Sequence, residues 1–585
     1  MIAAGAATFG AKVLDDNAGV QFRFFAPAAQ TVEIVIGEKT AIMRSGSNGW
    51  FTHTEPAARA GARYAFRIDG ADGTVPDPAS RFQPSGVHGP SEVIDVAAFA
   101  PLQTGWSGRP WTELVFYELH VGTFTPEGTY RAAVARLDAL VALGITAIEL
   151  MPLAQAPGTR NWGYDGVLLY APAHNYGTPV ELAHFIAEAH GRGLAVFLDV
   201  VYNHFGPEGN YLHLYAPVFF TDRYVTPWGD AIDFSVPDVR AFFVENACYW
   251  IDAYGFDGLR LDATHMIFDE HLPSILLELR AAIVEIADRN VYLVLENDGN
   301  DVRYLRAGFD AQWNDDFHHA MHVLVTGERA GYYNDYAARP AWYLGRVLTE
   351  GFGFQGEASP HRSGRQRGAP SVELPLAAFV NFLQNHDQIG NRARGERLTM
   401  LASIEAVRAA VAVMLLAPSP PLLFMGEEWG ASTPFLFFCD FEPELARAVT
   451  EGRRREFALF NDVIPDPAAP ETFARSILQW DERSRESHRE LLEHYRTLLY
   501  VRATDIVPRI GGLRGRDARY VIAGERGLRM TWQTADGTLR ADINLSPDIA
   551  TGFTERLPGR LLFATHGETY AGGAAPAWSV RWSLA

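Results

Sequence analysis

A regular alternation of short apolar runs with longer amphipathic stretches extends from about residue 106 to about residue 500, and it constrains the fold most. Short continuous apolar runs are typical of parallel strands that are covered on both faces. The stretches 130–143, 179–191 and 404–416 have helical periodicity instead. The pattern predicts an α/β fold, a (β/α)₈ TIM barrel with insertions, because the region exceeds the ~250 residues that eight such units usually need. The predicted strands are 114–119, 145–150, 194–201, 258–261, 291–295, 311–313, 378–383 and 422–425.

Two all-β regions flank this barrel. Residues 1–105 contain alternating runs, such as 31–36 and 64–68, that are separated by turns containing Gly and Pro. They predict a small N-terminal β-sandwich. Short alternating strands return in residues 506–585 and predict a small C-terminal β-domain. The barrel is therefore assigned to residues 106–505.

Composition excludes several classes of partner. The formal net charge of −20 argues against nucleic acid, because a phosphate backbone attracts a basic surface. The longest apolar stretch, 406–425, contains Arg408 and three prolines, which argues against a membrane span. Residues 1–10 have no basic residue and make a poor secretory signal, so we expect a cytoplasmic protein. Two cysteines, Cys248 and Cys439, are too few for a disulfide framework or a Cys-rich metal site.

Polar and acidic residues follow four of the predicted strands at their carboxyl ends. In a (β/α)₈ barrel these ends meet at one mouth and form the active site. We therefore expect the side chains to lie close together. The polar ends are 199–204 after the third strand, Asp262 after the fourth, 296–298 after the fifth and 384–387 after the seventh.

Arg260 lies two residues before Asp262, so both side chains point to the same side of the strand. A neighbouring guanidinium keeps a carboxylate ionised, and an ionised, positioned aspartate suits nucleophilic displacement. On its own, such a pair is more often structural. Glu296 and Asp387 add two more carboxyl groups to the same mouth. Crowded like charges raise the pKa of at least one carboxyl group, which can then act as a general acid.

Glycoside hydrolysis with retention of configuration uses such a combination of carboxyl groups. In that scheme Asp262 attacks the anomeric carbon, while Glu296 protonates the leaving oxygen and then activates water. Asp387 would hold sugar hydroxyls and favour the distorted ring. His204 and His386 would donate hydrogen bonds to hydroxyls of the same sugar, with a structural hydrogen bond as the alternative for each. The scheme needs no cofactor and no metal.

Aromatic and histidine-rich stretches supply further candidates for substrate contacts. The long insertion 203–234 is rich in aromatic residues and is expected to be ordered. Trp228 within it and Tyr164 are candidate stacking platforms for sugar rings, with a place in the core as the alternative. The segment 315–319 follows the sixth strand, and together with His322 it could suggest a metal site. We favour hydrogen bonding to a terminal sugar over a metal, because hydrolysis of this type needs none, and a plain place on a helix surface is the other alternative.

Four of these stretches resemble, in order, the four conserved segments of the α-amylase superfamily, glycoside hydrolase family 13. Each segment is weak alone, but all four in order on the expected strands form a specific signal. The resemblance covers roughly residues 106 to 500 and implies the roles given above for the three carboxylates. The segments are Asp-Val-Val-Tyr-Asn-His at 199–204, Gly-Leu-Arg-Leu-Asp at 258–262, Glu296, and Asn-His-Asp at 385–387.

The sequence differs from the family pattern at one position and resembles the family in one further region. Many members carry Lys-His three and four positions after the nucleophile, whereas His265 stands at the third position here, so a Lys contact to a downstream sugar is missing. The N-terminal region resembles the carbohydrate-binding-module-like sandwich that precedes the barrel in branching and debranching members.

Within the family, the stretches 116–125, 161–166 and 226–229 resemble both malto-oligosyltrehalose trehalohydrolases and glycogen-branching enzymes. The stretches 311–319 and 386–398 favour the first group. This implies cleavage of the α-1,4 bond next to the trehalose end of a malto-oligosyltrehalose or maltodextrin substrate, with malto-oligosyltrehalose synthase as a functional companion. A branching or debranching enzyme acting on α-1,6 linkages and a non-catalytic glycan-binding protein are the alternatives. The predicted substrate contacts are Arg260, His265, His204, Tyr164, Trp228, Asp315, Asp316, Phe317, His318, His319, His386, Gln388 and Asn391.

Overall fold

The computed structural model describes residues 9–15, 18–102, 105–457 and 464–585, and its centre is a closed barrel of parallel strands. Each barrel strand pairs with the next one along the chain, and the last pairs with the first. This confirms the predicted (β/α)₈ barrel. The strands are β1 (Phe116–Leu119), β2 (Ala147–Leu150), β3 (Ala195–Val200), β4 (Gly258–Leu261), β5 (Tyr292–Leu295), β6 (Ala311–Trp313), β7 (Phe379–Phe382) and β8 (Pro421–Phe424).

Strand β4 is tightly enclosed by its neighbours. All four of its residues are buried. A β-carbon at Gly258 would lie 2.2 Å from a ring carbon of Phe197 on β3, so a larger residue does not fit. At the start of the strands, Leu114, Phe116 and Phe197 belong to one apolar cluster. The barrel therefore has a packed apolar floor, and polar side chains concentrate towards the carboxyl ends of its strands.

Helices connect the barrel strands along the chain. The predicted helices 179–191 and 404–416 form with those bounds. The predicted helix 130–143 is instead two helices, Tyr130–Val134 and Leu137–Leu143. Helical spacing of the buried residues continues across the break, so the periodicity does not reveal it. The longer helices are Pro179–Gly191, Pro237–Tyr254, Ile275–Ile286, Asp315–Thr326, Pro340–Glu350, Ile404–Leu416, Pro443–Phe457 and Glu486–Val501.

The long insertion after β3 is ordered and contains a β-hairpin. Strand Phe220–Thr226 pairs antiparallel with strand Gly229–Ile232. Trp228 lies in the turn between them and is 47% exposed. The hairpin thus holds this aromatic side chain at its tip.

The N-terminal region is a β-sandwich, as predicted. It packs against the barrel domain: the indole N–H of Trp50 donates to Asp238 at 3.0 Å, and the rings of Phe9 and Phe242 lie 5.3 Å apart. One antiparallel sheet contains Gly10–Val13, Val20–Phe25, Trp50–Glu55 and Arg44–Ser45, and the other contains Lys39–Ile42, Val32–Ile36, Arg63–Ile68 and Ser91–Glu92.

The C-terminal region is one antiparallel sheet. Its core includes the stacked rings of Trp532 and Trp582, 5.2 Å apart. The indole N–H of Trp532 donates to the carbonyl of Leu348 at 3.1 Å, which ties the sheet to a barrel helix. The strands, in sheet order, are Ala518–Ala523, Gly527–Thr534, Gly537–Asn544, Ser579–Leu584 and Arg560–Ala564.

Two predictions drawn from composition concern membranes and secretion. Among the described residues, every helix is too short or too polar to cross a lipid bilayer. Residues 1–8, which make up most of the segment behind the signal-peptide prediction, lie outside the described residues.

Candidate active site

Arg260 lies at the centre of the barrel mouth and is fully buried. Its Nη1 donates to Asp199 at 2.7 Å and to Asp262 at 2.8 Å. Its Nη2 lies 2.9 Å from Oε2 of Glu296, an ion-pair contact whose angles fall outside those of a hydrogen bond. The indole ring of Trp313 lies against the guanidinium at 4.1 Å. One cation therefore brings three carboxylates from three neighbouring strands together.

Asp262 is held at both of its carboxylate oxygens. Oδ1 accepts from Arg260, and Oδ2 accepts from the side-chain amide of Asn203 at 2.7 Å. The same amide donates to the backbone carbonyl of Asp262 at 2.9 Å. The carboxylate is fixed at the exit of β4 and its side chain is 11% exposed. A fixed, ion-paired carboxylate that still faces the mouth is suited to nucleophilic attack.

Glu296 faces the same space from the end of β5. The backbone N–H of Ala263 donates to its Oε2 at 2.8 Å. Ala263 has a φ of 39°, a left-handed conformation that costs energy for a residue with a β-carbon and that often marks functional sites. Burial raises the pKa of Glu296 against the opposing effect of Arg260, and the nearby Asp262 raises it further. A carboxyl group with a raised pKa beside an ion-paired carboxylate is an arrangement suited to an acid and a nucleophile.

Asp199 lies deeper in the site and connects it to Tyr164. Its Oδ2 accepts from the Tyr164 hydroxyl at 2.6 Å and from Arg260. Burial raises the pKa of Asp199 to about 7, although Arg260 lowers it. The Tyr164 ring stacks on His386 with centroids 4.9 Å apart. Tyr164 thus links the Arg260 cluster to the residues that follow β7.

Asp387 occupies the first turn of the short helix His386–Gly390 after β7. The Nε2 of His386 lies 3.4 Å from its Oδ2, and the side-chain amide of Asn391 donates to its Oδ1 at 3.0 Å. The side chain remains 38% exposed, so it is open to a ligand in the mouth. His386 itself is buried, and its Nδ1 contacts Glu118 at 2.5 Å.

The segment 315–319 divides into buried and mouth-facing residues. Asp316 is fully buried and accepts hydrogen bonds from Asn300 and from the backbone of Gly353 and Phe354. Phe317 is also fully buried in the core. These positions correct the prediction that both contact a sugar, because neither side chain reaches the mouth.

His318 and His204 are likewise bound to protein groups. Nδ1 of His318 lies 2.6 Å from the carbonyl of Leu383, and its Nε2 lies 3.0 Å from the Tyr333 hydroxyl. Nε2 of His204 lies 3.0 Å from the carbonyl of Tyr164, and its Nδ1 contacts the side-chain oxygen of Asn203. Both rings are therefore held by protein groups, which for His204 is the structural hydrogen bonding weighed above as the alternative.

Asp315 is the partly exposed acid of the segment. Burial and the nearby Glu296 raise the pKa of Asp315 to about 8. His319 is nearly buried, and its ring lies 4.5 Å from that of Tyr332. The Tyr332 hydroxyl donates to Gln388 at 3.3 Å, which places Gln388 on the same wall. This wall offers several polar groups.

Trp228 and His265 are both partly exposed. The exposed indole of Trp228 stacks on His204 with centroids 4.2 Å apart and an interplanar angle of 5°. His265 is 30% exposed, and its Nε2 lies 3.6 Å from Asp298. The opposite face of Trp228 is thus available for a sugar ring, and His265 presents an imidazole where many family members have a lysine.

Similarity to known proteins agrees with this geometry. The family model described as "Alpha amylase, catalytic domain" matches residues 81–215, and "Carbohydrate-binding module 48 (Isoamylase N-terminal domain)" matches residues 8–82. A domain of unknown function matches residues 515–582. Malto-oligosyltrehalose trehalohydrolase of Deinococcus radiodurans is 42% identical over 95% of this chain and 93% of its own length. The chain belongs to the malto-oligosyltrehalose trehalohydrolase family. The enzyme of that name from Saccharolobus solfataricus is also 42% identical, over 85% of this chain and 87% of its own.

Solved structures agree with the fold of this trehalohydrolase family member. A crystal structure of a Salmonella typhimurium protein designated an alpha amylase is 45% identical and covers 99% of this chain and 100% of its own, with a TM-score of 0.95. A pullulanase from Anoxybacillus, solved with maltotetraose, has a TM-score of 0.73 at 17% identity over 98% of this chain and 87% of its own, which shows a shared fold.

Sequence reasoning missed several residues in and beneath the trehalohydrolase-family site. Asp199 and Asn203 were recognised only as parts of a motif, although they contact Arg260 and Asp262. Glu118 and Glu149 were overlooked, although a charged residue inside an otherwise apolar strand is a detectable signal of a buried polar network. Pairings between distant segments, such as Trp313 with Arg260, leave no local pattern.

Proposed function

We propose that this chain is a retaining glycoside hydrolase that cleaves the α-1,4-glucosidic bond next to the trehalose end of malto-oligosyltrehalose. The products are free trehalose and a shorter maltodextrin. The observation that carries the chemistry is the contact of one guanidinium, Arg260, with both Asp262 and Glu296. Because both carboxylates face one small space, they suit a retaining pair, whose carboxyl groups lie ~5 Å apart.

In the proposed first step, an oxygen of Asp262 attacks the anomeric carbon of the glucan and a glycosyl ester forms. The bond to O4 of the trehalose unit breaks, and Glu296 transfers its proton to that oxygen. In the second step Glu296 removes a proton from water, and the water oxygen displaces Asp262 at the same carbon. Two inversions leave the new reducing end in the α configuration.

Asp387 and the mouth-facing residues are proposed to bind the substrate. The exposed carboxylate of Asp387 accepts from hydroxyls of the sugar that reacts, and Tyr164 and Trp228 provide ring faces. Asp315, His319, Gln388 and His265 offer polar groups to sugars on either side of the cleaved bond.

The trehalose specificity is supported by full-length similarity to trehalohydrolases. A branching enzyme, GlgB of Bacillus caldolyticus, is 27% identical over 78% of this chain and 72% of its own length, which is a weaker match. We also propose that the protein works in the cytoplasm after the synthase that makes its substrate.

Separate incubations with malto-oligosyltrehalose, amylose and glycogen test the function. Release of trehalose from the first substrate is expected, with little change in α-1,6 branching of the other two. Asp262→Ala should reduce the rate by about 10³-fold or more, because the covalent step is lost. The matched control is Asp288→Ala, since Asp288 is 91% exposed and takes no part in the proposed steps. New or lost branches without trehalose would identify a branching or debranching enzyme.

A further inference from the structure

Two buried acids beneath the mouth have no role in the steps described above. Glu118 on β1 and Glu149 on β2 are register partners in the barrel, and each is 1% exposed. Paired residues on neighbouring parallel strands point to the same side, so both carboxyl groups share one environment. Two adjacent buried carboxyl groups cannot both be ionised without a large cost.

Their hydrogen bonds distinguish the two acids. Oε1 of Glu118 contacts Nδ1 of His386 at 2.5 Å, and its Oε2 accepts from the backbone N–H of His386 at 3.1 Å. Both oxygens of Glu149 lack a hydrogen-bond partner among the described residues. Burial, followed by the charges of Glu118 and Asp199, raises the pKa of Glu149 well above its ordinary value. Glu118 is therefore held by His386 through both of its oxygens, whereas burial favours the neutral form of Glu149.

His386 connects Glu118 to the catalytic residues. Its Nε2 lies 3.4 Å from Asp387, and its ring stacks on Tyr164. Burial opposes ionisation of the ring, but Asp387 and Glu118 raise the pKa of His386 to about 9. The titratable and charged groups that face it are Glu118, Glu149, His120, Tyr164, Arg260 and Asp387.

We propose that Glu118 is a positioning residue that holds His386 as an imidazolium with its Nε2 beside Asp387, whereas neutral Glu149 only fills the barrel interior. The proposal rests on the proposed hydrolase function. The imidazolium balances the charge of Asp387 and fixes its carboxylate in the orientation that meets the sugar. Glu118 acts through His386 and does not touch the substrate.

The variants Glu118→Gln and Glu149→Gln form a matched pair, because both change a buried carboxyl group to an amide in the same layer. Glutamine at position 118 can accept from the backbone N–H of His386 and donate to Nδ1 of a neutral ring, so it preserves the contacts but removes the charge. Glutamine at position 149 imitates a protonated acid. Only the first change should alter the ionisation of His386.

The ratio of wild-type to variant kcat/KM, measured from about pH 5.5 to about pH 9, tests the proposal, because an unperturbed imidazole titrates near ~6.5. The deficit of Glu118→Gln should grow by about 10-fold or more across this range, as its His386 loses the proton that the wild type keeps. Glu149→Gln should stay within about twofold of the wild type throughout. A pH-independent deficit in Glu118→Gln, or equal deficits in the two variants, overturns the proposal.

Thermal unfolding gives a readout that does not depend on the substrate. The pKa of His386, about 9 when folded, exceeds the ordinary value of ~6.5, so its stabilising effect is complete below about pH 6.5 and is lost as pH rises through about 9. The Tm of the wild type should therefore decline more steeply than that of Glu118→Gln over this range. Parallel declines contradict the proposal. If the wild type is active but releases no trehalose, the proposed function is contradicted instead. The comparisons of kcat/KM and of Tm can then still be made with the glucan that the enzyme cleaves.

Discussion

Glu296 experiences opposing influences on its ionisation. Burial raises its pKa, Arg260 lowers it and Asp262 raises it, with a net upward shift. The acid form is therefore kept at pH values above the ordinary Glu pKa of ~4.3 and is lost as pH rises through the shifted value. A group in this state can protonate a leaving oxygen at pH values where an ordinary glutamate is already ionised.

Glu296→Gln should remove the alkaline limb of the kcat/KM profile on malto-oligosyltrehalose and lower the rate by about 10²–10⁴-fold, because general acid catalysis is lost. Formation of the glycosyl ester from α-glucosyl fluoride, whose leaving group needs no proton, should be impaired far less. Comparison of the two substrates checks this role. Equal losses on both would assign Glu296 to binding rather than to proton transfer.

Asp315 and Asp316 are adjacent in the chain but differ in environment. Asp316 pairs with Arg367 at 2.9 Å in a fully buried cluster, whereas Asp315 is partly exposed beside Glu296. Asp316→Ala should cost about 3–5 kcal/mol of unfolding free energy, because it leaves Arg367 buried without its charge partner. Asp315→Ala should cost much less stability and act mainly on kcat/KM. Denaturant unfolding and steady-state kinetics of the two variants test the distinction, and equal stability losses would contradict it.

The sequence could place the central carboxylates because the end of a barrel strand determines where each of them lies. Asp262 and Glu296 each follow a short apolar run directly, so their meeting at the mouth follows from the barrel alone. Asp316 and Phe317 also follow a strand, but they lie on a helix whose inward face cannot be assigned before the packing is known. The local pattern predicts that this segment is near the site, and only tertiary packing decides which side chains face it.

The hairpin after β3 brings Trp228 to the rim of the mouth. Its indole covers His204 on one face and is exposed on the other. Trp228→Ala should raise KM by about 3–10-fold with a smaller change in kcat, because a stacking surface for the substrate is lost while the carboxylates remain. Val225→Ala on the same hairpin is the control, since Val225 is 90% exposed. A fall in kcat with unchanged KM would show that Trp228 acts on the chemistry through His204.

A comparison of predicted and observed bounds shows which strands and helices the sequence pattern predicts correctly. Strands β4 and β6 have the predicted bounds. The helical stretch 130–143 was predicted as one helix because its apolar spacing is continuous, and the two-residue break at Ala135 and Arg136 does not disturb that spacing. Periodicity reports which face is buried and is insensitive to a local turn.

In the whole molecule, the two flanking β-domains contact the barrel from separate places. The N-terminal sandwich touches the insertion after β3, since the backbone N–H of Ala28 donates to the carbonyl of Tyr215 at 3.0 Å. The C-terminal sheet touches the helix Pro340–Glu350 through Trp532. Sequence alternation predicted both β-domains, but it contains no information on where they dock, because docking depends on surfaces formed by distant residues.

The configuration of the fresh maltodextrin product tests the retaining mechanism most directly. Proton NMR during the first moments of hydrolysis of malto-oligosyltrehalose, before the anomers interconvert, distinguishes the α from the β reducing end. Two displacements at one carbon, by Asp262 and then by water, predict the α-anomer. Initial appearance of the β-anomer would mean a single displacement by water and would contradict Asp262 as the nucleophile.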